Sequence, residues 1–154
     1  MDEENKKTNS LISLFETKKS LTITLLRARE SLMMSFRPLL AKHNFTEQQW
    51  RVLRVLGEKG PCDAGQLATE ACILSPSLSR IINTLIENNF IIKKEDKLDK
   101  RKIILEISDE GKLKLETIKP EYLAILKSIQ KRYGEDKINN ILTLLTEIID
   151  WRSR

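Results

Sequence analysis

Cysteine and histidine are nearly missing from this chain, which holds only Cys62, Cys72 and His43. Two cysteines cannot staple a fold, and one histidine beside them leaves no ligand set for a structural zinc site. Both thiols are expected reduced, in or near the core. Five glycines and four prolines in 154 residues exclude collagen-like and low-complexity classes. No stretch approaches the roughly 20 apolar residues of a membrane helix, and residues 1–7 are charged with no apolar signal core behind them. A cytoplasmic protein without a membrane partner is expected. There is no glycine-rich phosphate loop and no His–Cys pairing, hence no nucleophile–base set. The chain is expected not to be an enzyme, and no cofactor or metal is implied.

What remains is a helix-rich composition, 40% hydrophobic and 32% charged, with a net charge of +5. That balance fits one domain with a real core, and its sign makes polyanions such as DNA plausible partners. Residues 1–10 are polar and aperiodic and read as a frayed tail. From Ser20 onward, Leu21, Leu25, Ala28, Leu32, Phe36 and Leu39 recur at helical spacing, with Pro38 marking a kink or boundary. Thr46 and Gln49 form a capping box that opens a second helix over about 47–58. Gly60-Pro61 stops it, and Asp63 with Gln66 repeats the box for a short third helix.

Ser75 can cap a fourth helix, predicted over 77–89, with Pro76 at its first position. Leu78, Ile81, Ile82, Leu85 and Ile86 give it one continuous apolar stripe. Opposite that stripe stand Ser77, Arg80, Asn83 and Thr84. Two β-branched runs, 90–95 and 103–107, flank a charged tip and predict a hairpin. Lysines and Arg101 make the tip the most basic place in the chain. Ser108 caps a long fifth helix that contains Pro120, Gly134 interrupts it, and a last helix over 136–151 carries Ile138, Ile141, Leu142, Leu145, Ile148 and Ile149 in an a/d pattern that needs a partner surface.

Two short helices joined by a tight turn and followed by a basic-tipped hairpin define a winged helix-turn-helix, with the second helix of the pair suited to a major groove. The fold class read from this order is mainly α with a small β wing, flanked by long dimerisation helices. One domain is expected, with about 11–45 and 109–154 pairing two copies and about 46–108 binding double-stranded DNA. The candidate DNA contacts are Ser75, Ser77, Ser79, Arg80, Asn83 and Thr84 on the helix and Lys97, Asp99, Lys100 and Arg101 at the tip, where Asp99 would hold Arg101 extended. Arg29, His43, Trp50 and Arg54 are candidate contacts for an anionic aromatic ligand, which needs a guanidinium and a flat apolar wall. The rival reading is a helical protein-interaction adaptor whose basic hairpin is only a solvated loop.

From about Lys18 to the C-terminus the chain resembles the MarR family of bacterial repressors. Asp99-Lys-Arg101, the run Ile103 to Ile107 and Ser108-Asp-Glu-Gly111 are similar to that family's D-x-R wing and trailing L-T-x-x-G. Leu26-Arg-Ala-Arg-Glu30, Phe36-Arg-Pro38, Thr46-Glu-Gln-Gln-Trp-Arg-Val-Leu-Arg54 and Ala71-Cys-Ile-Leu-Ser-Pro-Ser77 resemble regulators of homoprotocatechuate and hydroxyphenylacetate breakdown. The resemblance implies a homodimer built on the first, fifth and sixth helices, a palindromic operator, and derepression by a small phenolic carboxylic acid bound between the dimer arm and the DNA-binding lobe. The chain departs from the family pattern where a second wing arginine is usual: Lys102 and Ile103 stand there instead.

Overall fold

A computed structural model describes residues 16–17, 20–96, 99 and 102–151. The elements run α1 (Leu21–Lys42), α2 (Glu47–Lys59), β1 (Cys62–Asp63), α3 (Ala64–Glu70), α4 (Ser75–Glu87), β2 (Ile91–Glu95), β3 (Ile103–Ile107), α5 (Asp109–Tyr133) and α6 (Glu135–Asp150). Two compact units divide the chain after Pro38.

In the first unit, Phe36 is buried, whereas Leu21, Leu26, Leu32 and Met34 on the same helix are exposed. Helix α1 does not end at Pro38 but continues to Lys42. It stops in a left-handed turn at Asn44 (φ 61°), where the Phe45 amide returns to the Leu40 carbonyl. Asparagine tolerates that backbone better than most residues.

The second unit is organised by three helix caps that act locally. The Thr46 hydroxyl accepts from the Gln49 amide while Gln49 reaches back to the Thr46 amide, and Asp63 and Gln66 do the same at α3. The Ser108 hydroxyl accepts from the Gly111 amide and donates to the Asn89 carbonyl at 2.5 Å, which ties the start of α5 to the end of the α4 turn. Satisfying the first-turn amides in this way fixes each entry angle. Leu40, Val52, Leu53, Leu56, Leu67, Leu78, Leu85, Ile91, Leu105 and Ile118 then fill a continuous apolar interior.

The sheet is antiparallel throughout, ordered β1-β3-β2. Ile91 faces Ile107 and Glu95 faces Ile103, so the two β-branched runs form the expected hairpin. Strand β1, only two residues long, pairs Cys62 with Leu105 and Asp63 with Ile104. Sequence pattern alone did not reveal it.

Two expectations need correction. Helix α4 begins two residues early, so Ser75 and Pro76 lie inside its first turn. The cap is Leu74, which has no capping side chain. The reason is that the Leu74 carbonyl already accepts from the Ser77 and Leu78 amides. Cys72 is not in the core but exposed, while Cys62 is half-buried. Burial pushes the Cys62 thiol up, with Asp63 and Glu70 adding to that, which makes it a poor nucleophile.

Candidate nucleic-acid interface and effector cluster

Helix α4 separates its two faces cleanly. Leu78, Ile81, Ile82 and Leu85 are buried, whereas Ser75, Ser77, Ser79, Arg80 and Asn83 are exposed and Thr84 is half-exposed. The Thr84 hydroxyl donates to the Arg80 carbonyl at 3.1 Å and the Ser79 hydroxyl to the Ser75 carbonyl at 3.5 Å. Each hydroxyl therefore keeps its lone pairs for an outside donor. Among the described residues Arg80 has no ion-pair partner, so its guanidinium is available to a phosphate or to a guanine edge.

The hairpin leaves the same unit directly after α4. Lys94 pairs with Glu106 across the strands at 2.5 Å. At the tip the Asp96 amide donates to the Lys102 carbonyl, the Lys102 amide to the Asp99 carbonyl, and the Asp99 amide to Asp96 Oδ1, all at 2.9–3.0 Å. Asp96, which sequence reasoning did not single out, is thus the side chain that braces this turn. Lys97, Lys100 and Arg101, named as DNA contacts from sequence, lie outside the described residues, and so does the proposed Asp99–Arg101 pairing.

A second constellation lies between α2 and α5. Trp50 and Arg54 sit one helical turn apart on α2. Both meet Tyr122 on α5. The Trp50 and Tyr122 ring centroids are 5.7 Å apart, the Arg54 guanidinium carbon lies 5.4 Å from the Tyr122 ring, and Arg54 Nη1 donates to the Tyr122 hydroxyl at 3.3 Å. Phe45 packs edge-on against Trp50 at 6.0 Å and continues the aromatic wall to Phe90. Trp50 is buried, yet its Nε1 donor has no partner, an arrangement that costs stability unless something accepts from it.

Charge in this cluster is balanced internally. Burial disfavours the Arg54 cation, but the carboxylate of Glu58, 2.6 Å from Nη2, and the Tyr122 oxygen outweigh it and raise the Arg54 pKa. A carboxylate ligand would therefore compete with Glu58 for that guanidinium. Beside it, Glu121 accepts from Lys42 at 2.8 Å and from His43 Nε2 at 3.1 Å, and these two bonds, Lys42 first, hold its carboxyl below the usual range. His43 is thereby drawn to an acid on α5. Arg29 belongs to the first unit, where it and Arg37 both bond Glu30. Tyr122 and Glu121 were missed from sequence because 68 residues separate Arg54 from Tyr122 and 78 separate His43 from Glu121, whereas Glu58, four residues after Arg54, could have been found from helical spacing.

Among the described residues no three His, Cys, Asp or Glu side chains form a group that could hold a metal, and no helix is long and apolar enough to cross a membrane.

The helix pair α3–α4 followed by the β2–β3 hairpin and flanked by long helices defines a winged helix-turn-helix regulator. Residues 45–103 match the model of the MarR family. The chain is 37% identical to the transcriptional regulator FarR of Neisseria gonorrhoeae over 84% of its own length and 88% of that protein's. It is 35% identical to the homoprotocatechuate degradative operon repressor of Escherichia coli, again over 84% and 88%. A crystal structure of NadR in complex with 4-hydroxyphenylacetate superposes with a TM-score of 0.77 at 37% identity, covering 84% of this chain and 92% of that one. The chain belongs to the MarR family of transcriptional regulators.

Proposed function

We propose that this regulator is a cytoplasmic homodimeric repressor that reads a palindromic operator with α4 in the major groove and with the hairpin on the adjacent backbone or minor groove. One observation carries the reading: the face of α4 that bears Ser75, Ser77, Ser79, Arg80 and Asn83 is exposed and polar, Arg80 has no ion-pair partner among the described residues, and the opposite face buries Leu78, Ile81, Ile82 and Leu85. Base-edge contacts fall to Arg80 and Asn83, with Ser75 and Ser77 serving phosphates or bases, Ser79 and Thr84 accepting from base amino groups, and the tip residues Lys97, Lys100 and Arg101 serving the backbone.

The terminal helices supply the pairing, in keeping with one domain in which about 46–108 is the DNA lobe. Helix α6 buries none of its residues within a single chain, and Ile141, Leu142, Leu144, Ile148, Ile149 and Trp151 are all exposed. A second copy offers the same apolar face, as a two-fold interface requires.

Derepression would come from a small phenolic carboxylic acid at the Trp50–Arg54–Tyr122 cluster. The unpartnered indole donor, the guanidinium and the phenol offer the polar contacts such a ligand needs, and the aromatic wall offers the flat surface. The NadR complex with 4-hydroxyphenylacetate supports that ligand class.

Fluorescence anisotropy on a duplex selected by the protein from a random-sequence pool tests the central claim. If about eight phosphates are neutralised, log K falls against log salt with a slope near −7. Arg80→Ala should cost about 1–3 kcal/mol and relax preference at one position per half-site. Binding that is insensitive to salt would overturn the reading.

A further inference from the structure

No side chain caps the start of α4. Its cap residue, Leu74, is 80% exposed and makes no capping bond through its side chain. The preceding turn does the holding. Helix α3 ends at Ala71, Cys72 adopts a left-handed backbone (φ 50°), the Cys72 amide returns to the Thr69 carbonyl, and the Ile73 amide returns to the Ala68 carbonyl. That double return is the Schellman pattern, in which the left-handed position normally belongs to glycine or asparagine. A cysteine there is conformationally disfavoured, so the turn needs support from outside.

Arg51 supplies it. From α2 its Nη1 donates to the Ala71 carbonyl at 2.8 Å and to the Cys72 carbonyl at 3.3 Å. These are carbonyls at the negative end of α3, where a cation is favoured. The same side chain keeps its Nε donor buried without a partner, a burden that placement for stability alone would not select. We propose that Arg51 is the positioning residue of the recognition helix: its guanidinium clamps the α3–α4 turn and thereby sets the angle at which α4 meets the operator. The inference rests on the reading of α4 as the recognition helix and goes beyond it, because Arg51 lies on neither DNA-facing element.

Full-length Arg51→Leu and Arg51→Lys test it against the wild type. The probes are the selected duplex, a poly(dI-dC) duplex, and amide hydrogen exchange over residues 71–78 in the DNA-free protein. With the clamp removed, Arg51→Leu should lose about tenfold in affinity for the selected duplex and keep its affinity for poly(dI-dC) within about twofold. Its salt slope should be unchanged, while exchange over 71–78 quickens. Arg51→Lys, able to reach one carbonyl, should fall between. Equal loss on both duplexes with a salt slope reduced by about 1 would make Arg51 a phosphate contact and overturn the proposal. So would unchanged exchange, or variants that no longer melt cooperatively, which would reduce Arg51 to general stability. A wild-type chain that enriches no duplex would instead overturn the recognition-helix reading, leaving the clamp to be judged by exchange alone.

Discussion

Gly111 stands so close to the Phe90 backbone that a β-carbon built on it would lie 2.2 Å from the Phe90 carbonyl oxygen and 2.7 Å from Ile107 Cγ1. The approach is enforced from both sides, because Ser108 caps Gly111 while bonding the Asn89 carbonyl, and the Ser108 amide bonds Phe90 itself. The α4–β2 turn and the first turn of α5 are therefore a single joint.

Gly111→Ala must push that joint apart, since backbone atoms rather than a flexible side chain block the new methyl. The expected cost is about 1–3 kcal/mol, or several degrees of Tm for a chain of this size. Calorimetry at matched protein concentration checks it. An unchanged Tm would show that the contact relaxes freely.

The joint also shows which parts of the fold were legible in the sequence. Caps at Thr46, Asp63 and Ser108 are readable because donor and acceptor lie three residues apart, and the hairpin because both runs are β-branched. The cap expected at Ser75 failed because α4 takes its first acceptor from the Leu74 carbonyl one residue earlier, a backbone bond that needs no capping side chain and so leaves no residue-type signature. Strand β1 failed for a similar reason: β3 recruits Cys62 and Asp63 across some forty residues. At the candidate site the outward face of α4 was readable from periodicity, whereas Tyr122 and Arg51 depend on partners 68 and 20 residues away.

Substitution on α6 separates monomer from dimer. In an isolated chain Leu142 is 57% exposed, so Leu142→Asp would cost a monomer almost nothing. Across a two-fold interface it buries an unpaired charge, which costs several kcal/mol. The variant should shift toward the monomer mass in light scattering and lose operator affinity. A variant that keeps the wild-type mass and affinity would remove α6 from the interface.

Ligand response should follow Arg54. In 4-hydroxyphenylacetate at about 100 times its Kd the wild type gains about 2.7 kcal/mol of stability, visible as a raised Tm and weakened operator binding. Arg54→Met should abolish both effects while leaving ligand-free DNA binding intact. Tyr122→Phe, which removes only the hydroxyl that Arg54 holds, should blunt them. A phenolic-acid panel that moves neither Tm nor operator affinity would rule out this effector class.

The wing offers the sharpest contest between charge and geometry. Asp96 carries a negative charge in a tip that should face a polyanion, so on charge alone Asp96→Ala ought to tighten DNA binding. Its Oδ1, however, accepts the Asp99 amide at 3.0 Å, and the Asp99 carbonyl in turn accepts from Lys102 at 2.9 Å. Without that brace the tip gains conformations that must be frozen out again on binding, and fixing even one residue costs about 1–2 kcal/mol. Repulsion between one half-exposed carboxylate and a phosphate several ångströms away is smaller, near 1 kcal/mol or less at high dielectric, and salt screens it further. Geometry should therefore win at moderate salt. Asp96→Ala is expected to bind the selected duplex and unrelated duplexes more weakly, by a similar few-fold factor, because a loosened wing gives up backbone contacts and not base readout. Asp99→Ala should weaken binding in the same even way if its carboxylate holds Arg101 extended. Tighter binding by both variants in anisotropy titrations would show that charge dominates at the tip and that neither acid organises the wing.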